Sequence, residues 1–277
     1  MQLEQWIDIH GLSRWTKKAT APSISVTLLD TGIDAHHPDI EASVGDIKNF
    51  YDPGEPAEDL DGHGTFCAGV IAGSGILQCK GVSPEIKVHI GKITQLSTFE
   101  PLPELLTTAL SWAAERSDVI CLPFGSRLED EDIRLLTQKI AQKGVIIVSS
   151  LGRTDEWHPD GCFPALYPEV IAVGTVDDQN VITSDSVLSP AIDICVPSIE
   201  MKGCLPEKKG RVGVRSGPGI GSAMIAGLAV MYKSAYPEGN YKGFRQYLKS
   251  QSEKYTLNRF TYSCFKHDRL DSFAVSA

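Results

Sequence analysis

The sequence predicts an α/β protein with a mostly parallel central sheet and helices on both faces. Three observations predict this class. Short apolar runs rich in branched residues alternate with segments whose apolar residues recur at helical spacing. The runs end in residues suited to a ligand-facing strand end: Asp30, Gly125 and Gly152. Hydrophobic content of 42% over 277 residues allows a substantial buried core.

Each element has its own warrant. Residues 24–29 form an apolar strand that stops at Asp30. His63 stands just before the apolar run Phe66–Ala72, read as a helix start. Val88–Ile93 reads as a buried strand. Leu106, Leu110 and Ala113 then recur at helical spacing. Val119–Leu122 is a second short apolar run. Ile133, Leu136 and Ile140 mark an amphipathic helix, stopped by Gly144. Two more strands follow at Val145–Val148 and Val170–Val176, then an apolar helix at Ile225–Tyr236, ended by Pro237. Tyr51–Leu60 and Gly152–Leu166 are rich in Pro, Gly and acidic residues and read as surface connections. Within the first, Glu55, Glu58, Asp59 and Asp61 are expected to form a solvated loop. No repeat or linker divides the chain, so residues 1–277 are expected to form one domain.

A net charge of −9 argues against general binding to nucleic acid or anionic membranes. No apolar stretch approaches a membrane span. Met1–Lys18 lacks a charged-then-apolar signal pattern, so an intracellular, cytoplasmic location is expected. The seven cysteines include no C-x-x-C pair, which argues against structural zinc. Cys67, Cys121 and Cys195 sit in apolar runs and read as small core residues. Cys162 and Cys204 lie in loop-like sequence, where a bridge between them is one alternative and free thiols in a reducing compartment are the other.

Two segments carry chemistry. The first strand leads into Asp30-Thr31-Gly32-Ile33-Asp34, and Asp61-Gly62-His63-Gly64-Thr65 follows. Alone, Asp30 reads as a turn residue and His63 as a satisfied histidine at a helix start. Together, in this order, they resemble the motifs of the subtilisin-like serine peptidases. The resemblance extends through His37-Pro38-Asp39, Gly81-Val82-Ser83-Pro84, the run from Val119 to Gly125, Tyr167-Pro168-Glu169-Val170-Ile171-Ala172-Val173-Gly174 and Val196-Pro197-Ser198. It covers about residues 22–236. It implies a three-layer subtilisin-like fold in which Asp30 orients His63 and His63 activates a serine at the start of a helix. It also implies an asparagine that helps hold the oxyanion, and a substrate-flanking strand, here Leu122, Pro123, Phe124 and Gly125.

Two of the implied roles lack their residues. Alignment of Ile225-Ala226-Gly227 on the corresponding family segment places Gly219 at the nucleophile position. A gapped alternative places Ala223 there, and neither carries a hydroxyl. Arg153 stands at the oxyanion asparagine, and its long charged fork is a poor substitute for a short amide. Ser222, about one turn into the helix, and Cys67, four residues after His63 on one helical face, are the substitute nucleophiles to weigh. Pro123 has no N–H, which weakens strand addition of a peptide.

The expected function is therefore that of an inactive homologue, a pseudoprotease acting as an intracellular peptide- or protein-binding or regulatory module, as a domain of a larger protein or alone. The alternative is an active serine endopeptidase seen with its nucleophile replaced. No cofactor is expected. The resemblance implies structural calcium in many relatives, with Asp39 in a contributing segment, but Gly73–Cys79 offers few oxygen ligands, so no metal is expected. The tail Asp268–Val275 resembles the family's closing segment.

Overall fold

The computed structural model describes Leu3, Gln5 and residues 24–266, apart from 85, 99–100, 154–159, 184–185 and 258–259. The tail resemblance at 268–275 lies outside the described residues.

Four strands occupy the middle of the molecule: β1 (Ser25–Asp30), β4 (Val119–Leu122), β5 (Ile146–Ser150) and β6 (Val170–Val176). Every residue of all four is buried. Strands covered on both faces read as continuous apolar runs, which is why these four were legible. Around them the sheet runs β10-β11-β7-β6-β5-β4-β1-β3-β2, with β2 (Val44–Asn49), β3 (Lys87–Lys92), β7 (Ile194–Pro197), β10 (Ser252–Leu257) and β11 (Phe260–Phe265). All neighbours pair in parallel except β10 with β11.

Side-chain alternation along β4 separates two cores. Val119 and Cys121 face α1 (His63–Ala72) and α4 (Pro218–Ala235). Ile120 and Leu122 face α2 (Pro103–Ala114) and α3 (Glu131–Gln142). Ile146 and Val148 of β5 join the first core, and Ile147 joins the second. Helices on both faces of a parallel sheet make three layers, the fold class expected. Helix α5 (Tyr241–Ser250) packs near β6 and leads into β10. A two-stranded antiparallel ribbon, β8 (Met201–Cys204) with β9 (Val212–Arg215), covers α1.

Several expectations change. Helix α4 starts at Pro218, about two turns before the apolar run from Ile225 and where the resemblance implied a helix start, because proline fits the first helical position, where its missing N–H is not needed. Strands β2, β7 to β11 and helix α5 were not foreseen. Most of β2 and β10 is exposed or half-buried, so neither shows an apolar run. Asp59 is not solvated but 2% exposed. Cys204 is buried in β8 against Gly69 while Cys162 sits near Gly125 and Gly152, and none of the seven cysteines is in a disulfide, so the 162–204 bridge is not formed.

The buried Lys233 near the end of α4 donates to the carbonyls of Gly144, Pro237 and Gly239, joining that end to the turn before β5. Lys233→Met strands those acceptors. It is expected to lower stability by about 1–3 kcal/mol in urea unfolding, with the fold retained.

Candidate active site

Strand β1 has β3 on one side and β4 on the other, so the chain order reverses at its C-terminal end. Ligand sites of open α/β sheets lie at such reversals. Asp30 ends β1 there and is fully buried. Both its oxygens lie 2.9 Å from Nδ1 of His63, the first residue of α1. The backbone N–H of Thr31 donates to the same carboxylate at 2.7 Å.

A second buried carboxylate sets this pairing. Asp59 accepts from the Thr31 hydroxyl (2.7 Å), the Gly62 N–H (2.7 Å), the Thr65 N–H (2.8 Å) and the Thr65 hydroxyl (2.7 Å). It thereby ties the end of β1 to the first turn of α1, where an anion also suits the helix dipole. A Cβ on Gly64 would collide with the Gly32 carbonyl, so only glycine lets α1 begin this close to β1. The expectation of a solvated acidic loop missed Asp59. The available signal was Thr31 and Thr65, hydroxyl residues beside apolar runs that need buried partners. Nearby, Asp61 accepts from the N–H and hydroxyl of Ser97 and pairs with Arg215 at 3.2 Å. Burial works against its charge, yet these partners hold its carboxyl below the usual range.

The His63 imidazole is 13% exposed. Burial opposes its positive charge, but the adjacent Asp30 outweighs burial and holds the proton well above the ordinary 6.5. A shift in this direction favours the protonated ring and works against use as a general base. Cys67 lies beside the ring, its Sγ 3.7 Å from Nδ1 and 3.9 Å from Nε2. Near-equal distances put the sulfur to the side of both nitrogens rather than in line with one. Burial pushes the thiol up to about 12, so it stays protonated at neutral pH. Cys67 is fully buried in the first core and is no substitute nucleophile.

Gly219, in the first turn of α4, is brought against the other side of the ring. A Cβ placed on it would lie 3.0 Å from His63 Nε2 and would clash with the Pro123 carbonyl oxygen. Of the two aligned positions, Gly219 lies against His63, whereas Ala223 is fully buried in the core. Ser222 is fully buried and donates back to the Pro218 and Gly219 carbonyls at 3.2 and 3.0 Å. Its hydroxyl is engaged within its own helix. Arg153, just past β5, donates through its guanidinium to the Ser216 carbonyl at 3.3 Å and lies over Gly217.

His63, Arg153, Gly219, Pro123, Phe124 and Gly125 line one cleft of about 500 Å³. Leu122 ends β4 directly before these residues, and its side chain turns into the core toward α2 and α3. Just beyond Gly125, Ser126 and Phe163 exchange backbone hydrogen bonds of 2.8 and 2.9 Å, so that stretch is already paired.

The residues around Asp39 do not fit a calcium ion. The Leu77 N–H sits between the two carboxylate oxygens at 3.1 and 3.0 Å, where a bidentate cation would bind, and Ser74 adds a hydroxyl at 3.2 Å. The neighbouring His37 has both ring nitrogens engaged, one by the Asp39 N–H and one by the Arg211 carbonyl.

Two outcomes follow from this geometry. The His63 imidazole is expected to titrate above 6.5 by NMR, and Asp30→Asn is expected to bring it below that value by leaving burial uncompensated. The pair's stabilisation is fully present below 6.5, the unfolded value, and is lost as pH rises through the folded one. Asp59→Asn leaves buried donors without a matching acceptor. It is expected to cost about 3 kcal/mol in urea unfolding and to shift the His63 titration as β1 and α1 loosen.

Comparison with known proteins places this arrangement. A profile of the subtilase family matches residues 22–264. The major intracellular serine protease of Bacillus subtilis is 30% identical over 246 residues, covering 84% of this chain and 75% of that one. A subtilisin of Bacillus pumilus is 27% identical, covering 83% of this chain and 84% of its own length. The crystal structure of a cold-adapted subtilisin-like serine proteinase superposes with a TM-score of 0.77, covering 90% of this chain and 89% of the other at 19% identity, a likeness of fold. With the family profile spanning most of its length and Asp30 and His63 paired at the sheet reversal, the chain belongs to the subtilase family.

Proposed function

We propose that this subtilase has lost peptidase activity and that its cleft holds a peptide or protein ligand without cutting it, as an intracellular binding or regulatory module. One observation carries the reading: the position facing His63 Nε2 is Gly219, with the Pro123 carbonyl occupying the space its side chain would need. Loss of a triad nucleophile leaves only about 10³–10⁴ of rate over water, mostly from the oxyanion hole. Arg153 at the oxyanion position removes a preorganised amide worth about another 10²–10³. The upward shift of His63 works against proton abstraction as well. The intracellular placement rests on the name of the Bacillus subtilis relative.

A second reading, an active serine endopeptidase with its nucleophile replaced, is favoured by the intact Asp30–His63 pair. Fluorophosphonate labelling of the purified chain beside Gly219→Ser separates the two. Neither protein is expected to label, because the new Cβ meets the Pro123 carbonyl and no amide stands at 153. Labelling restored by the serine alone would favour the second reading. Labelling of the unchanged chain would overturn both placements of the nucleophile.

A further inference from the structure

Two of the buried cysteines face each other across a seam of the sheet. Cys195 on β7 and Cys264 on β11 are registered partners in the parallel ladder, and both are fully buried. Opposed residues of neighbouring strands lie about 4.8 Å apart. A disulfide accepts Cα separations of about 4.4–6.8 Å. Opposed residues also point to the same face of the sheet, and here a hydrogen bond joins the two thiols. Next along the row is Gly174 of β6, which pairs with Cys195 on its other side. A Cβ at Gly174 would lie 2.8 Å from the Cys195 sulfur. Glycine therefore leaves that sulfur room to turn about its Cα–Cβ bond.

The seam is narrow. Among the described residues, Cys264 with Cys195 is the only registered pair that joins β11 to β7. The hairpin of β10 and β11 ends the sheet, and β10 is exposed or half-buried along its length. The two cysteines belong to a small apolar cluster of their own, with Val176, Ile182 and Tyr262. A terminal hairpin held over so short a contact opens locally more readily than the buried middle of the sheet. Such an opening admits a small oxidant to thiols that are otherwise closed to solvent. In the closed state the pair is quiet. The contact with Cys264, together with burial, holds the Cys195 thiol well above its ordinary range, and the thiolate is the reactive form.

We propose that Cys195 and Cys264 form a reversible disulfide when the protein meets hydrogen peroxide, and that this bond clamps the C-terminal hairpin to the sheet. One sulfur attacks the peroxide and breaks its O–O bond. One oxygen stays on that sulfur as a sulfenic acid, and the other leaves as water. The second thiol then attacks the oxidised sulfur. The S–S bond forms, and the sulfenic hydroxyl leaves as a second water with the thiol proton. Two electrons have passed from the two thiols to the peroxide. A dithiol reverses the bond by exchange. Neither cysteine lines the cleft beside His63, so the bond forms whether or not the chain cuts peptides.

The test treats the reduced, folded chain with hydrogen peroxide, blocks the remaining thiols with iodoacetamide in urea, and maps the peptides without reduction. The unchanged chain is run beside Cys264→Ala and Cys79→Ala, and circular dichroism checks that each is folded. The expected result is a peptide pair linked through 195 and 264 in the unchanged chain and in Cys79→Ala, absent from Cys264→Ala and released by dithiothreitol. Hydrogen exchange of residues 252–257 and 260–265 is expected to slow by at least about tenfold when the unchanged chain is oxidised, and to stay as it was in Cys264→Ala. Alkylation of both cysteines, or oxidation of either to an acid without a link, under peroxide that oxidises other thiols would overturn the pairing. A link formed only when peroxide is added in urea would overturn its origin in the folded chain. A native link that leaves exchange in the hairpin unchanged would overturn the clamp.

Discussion

The buried carboxylate of Asp59 holds this site in register. It receives four donors from two elements that are far apart in the chain, the residue after β1 and the first turn of α1. An ion taken out of water needs this saturation, since a carboxylate with open lone pairs in a core is costly. Once saturated, it fixes the distance between strand end and helix start. Asp30 and His63 are then brought together as a consequence. The close approach of Gly64 to Gly32 is the other half of the constraint, because no larger residue lets the two backbones meet.

Such an anchor gives the Asp30–His63 pair a structural reason to stand. Asp30 is buried and needs a partner regardless of what lies across the cleft. His63 supplies it. The pair belongs to the polar network of the folded core, so a glycine at 219 on α4 places no strain upon it.

What was readable in the chain followed burial. Strands covered on both faces are apolar throughout and were found within a residue or two. Strand β2 and the hairpin of β10 and β11 carry exposed polar residues on one side, and nothing in their local pattern marks a sheet edge. The apolar pattern marks only the later turns of α4, and its start came through the family motif, because Gly217-Pro218-Gly219 by itself reads as a turn. Position 219 itself was legible through the family motif, since the residues downstream align without a gap. Asp59 was not, because four acids in one loop look alike in sequence and only tertiary donors single one out. For Leu122, motif likeness assigns the segment to the strand entering the cleft, while alternation decides which of its side chains reach it.

The Pro123 carbonyl against Gly219 couples two positions that lie far apart in the chain. A side chain added at 219 meets this backbone oxygen, and a change near 123 alone opens a space with nothing to fill it. The two positions are therefore epistatic: the effect of a substitution at one depends on the residue and backbone at the other.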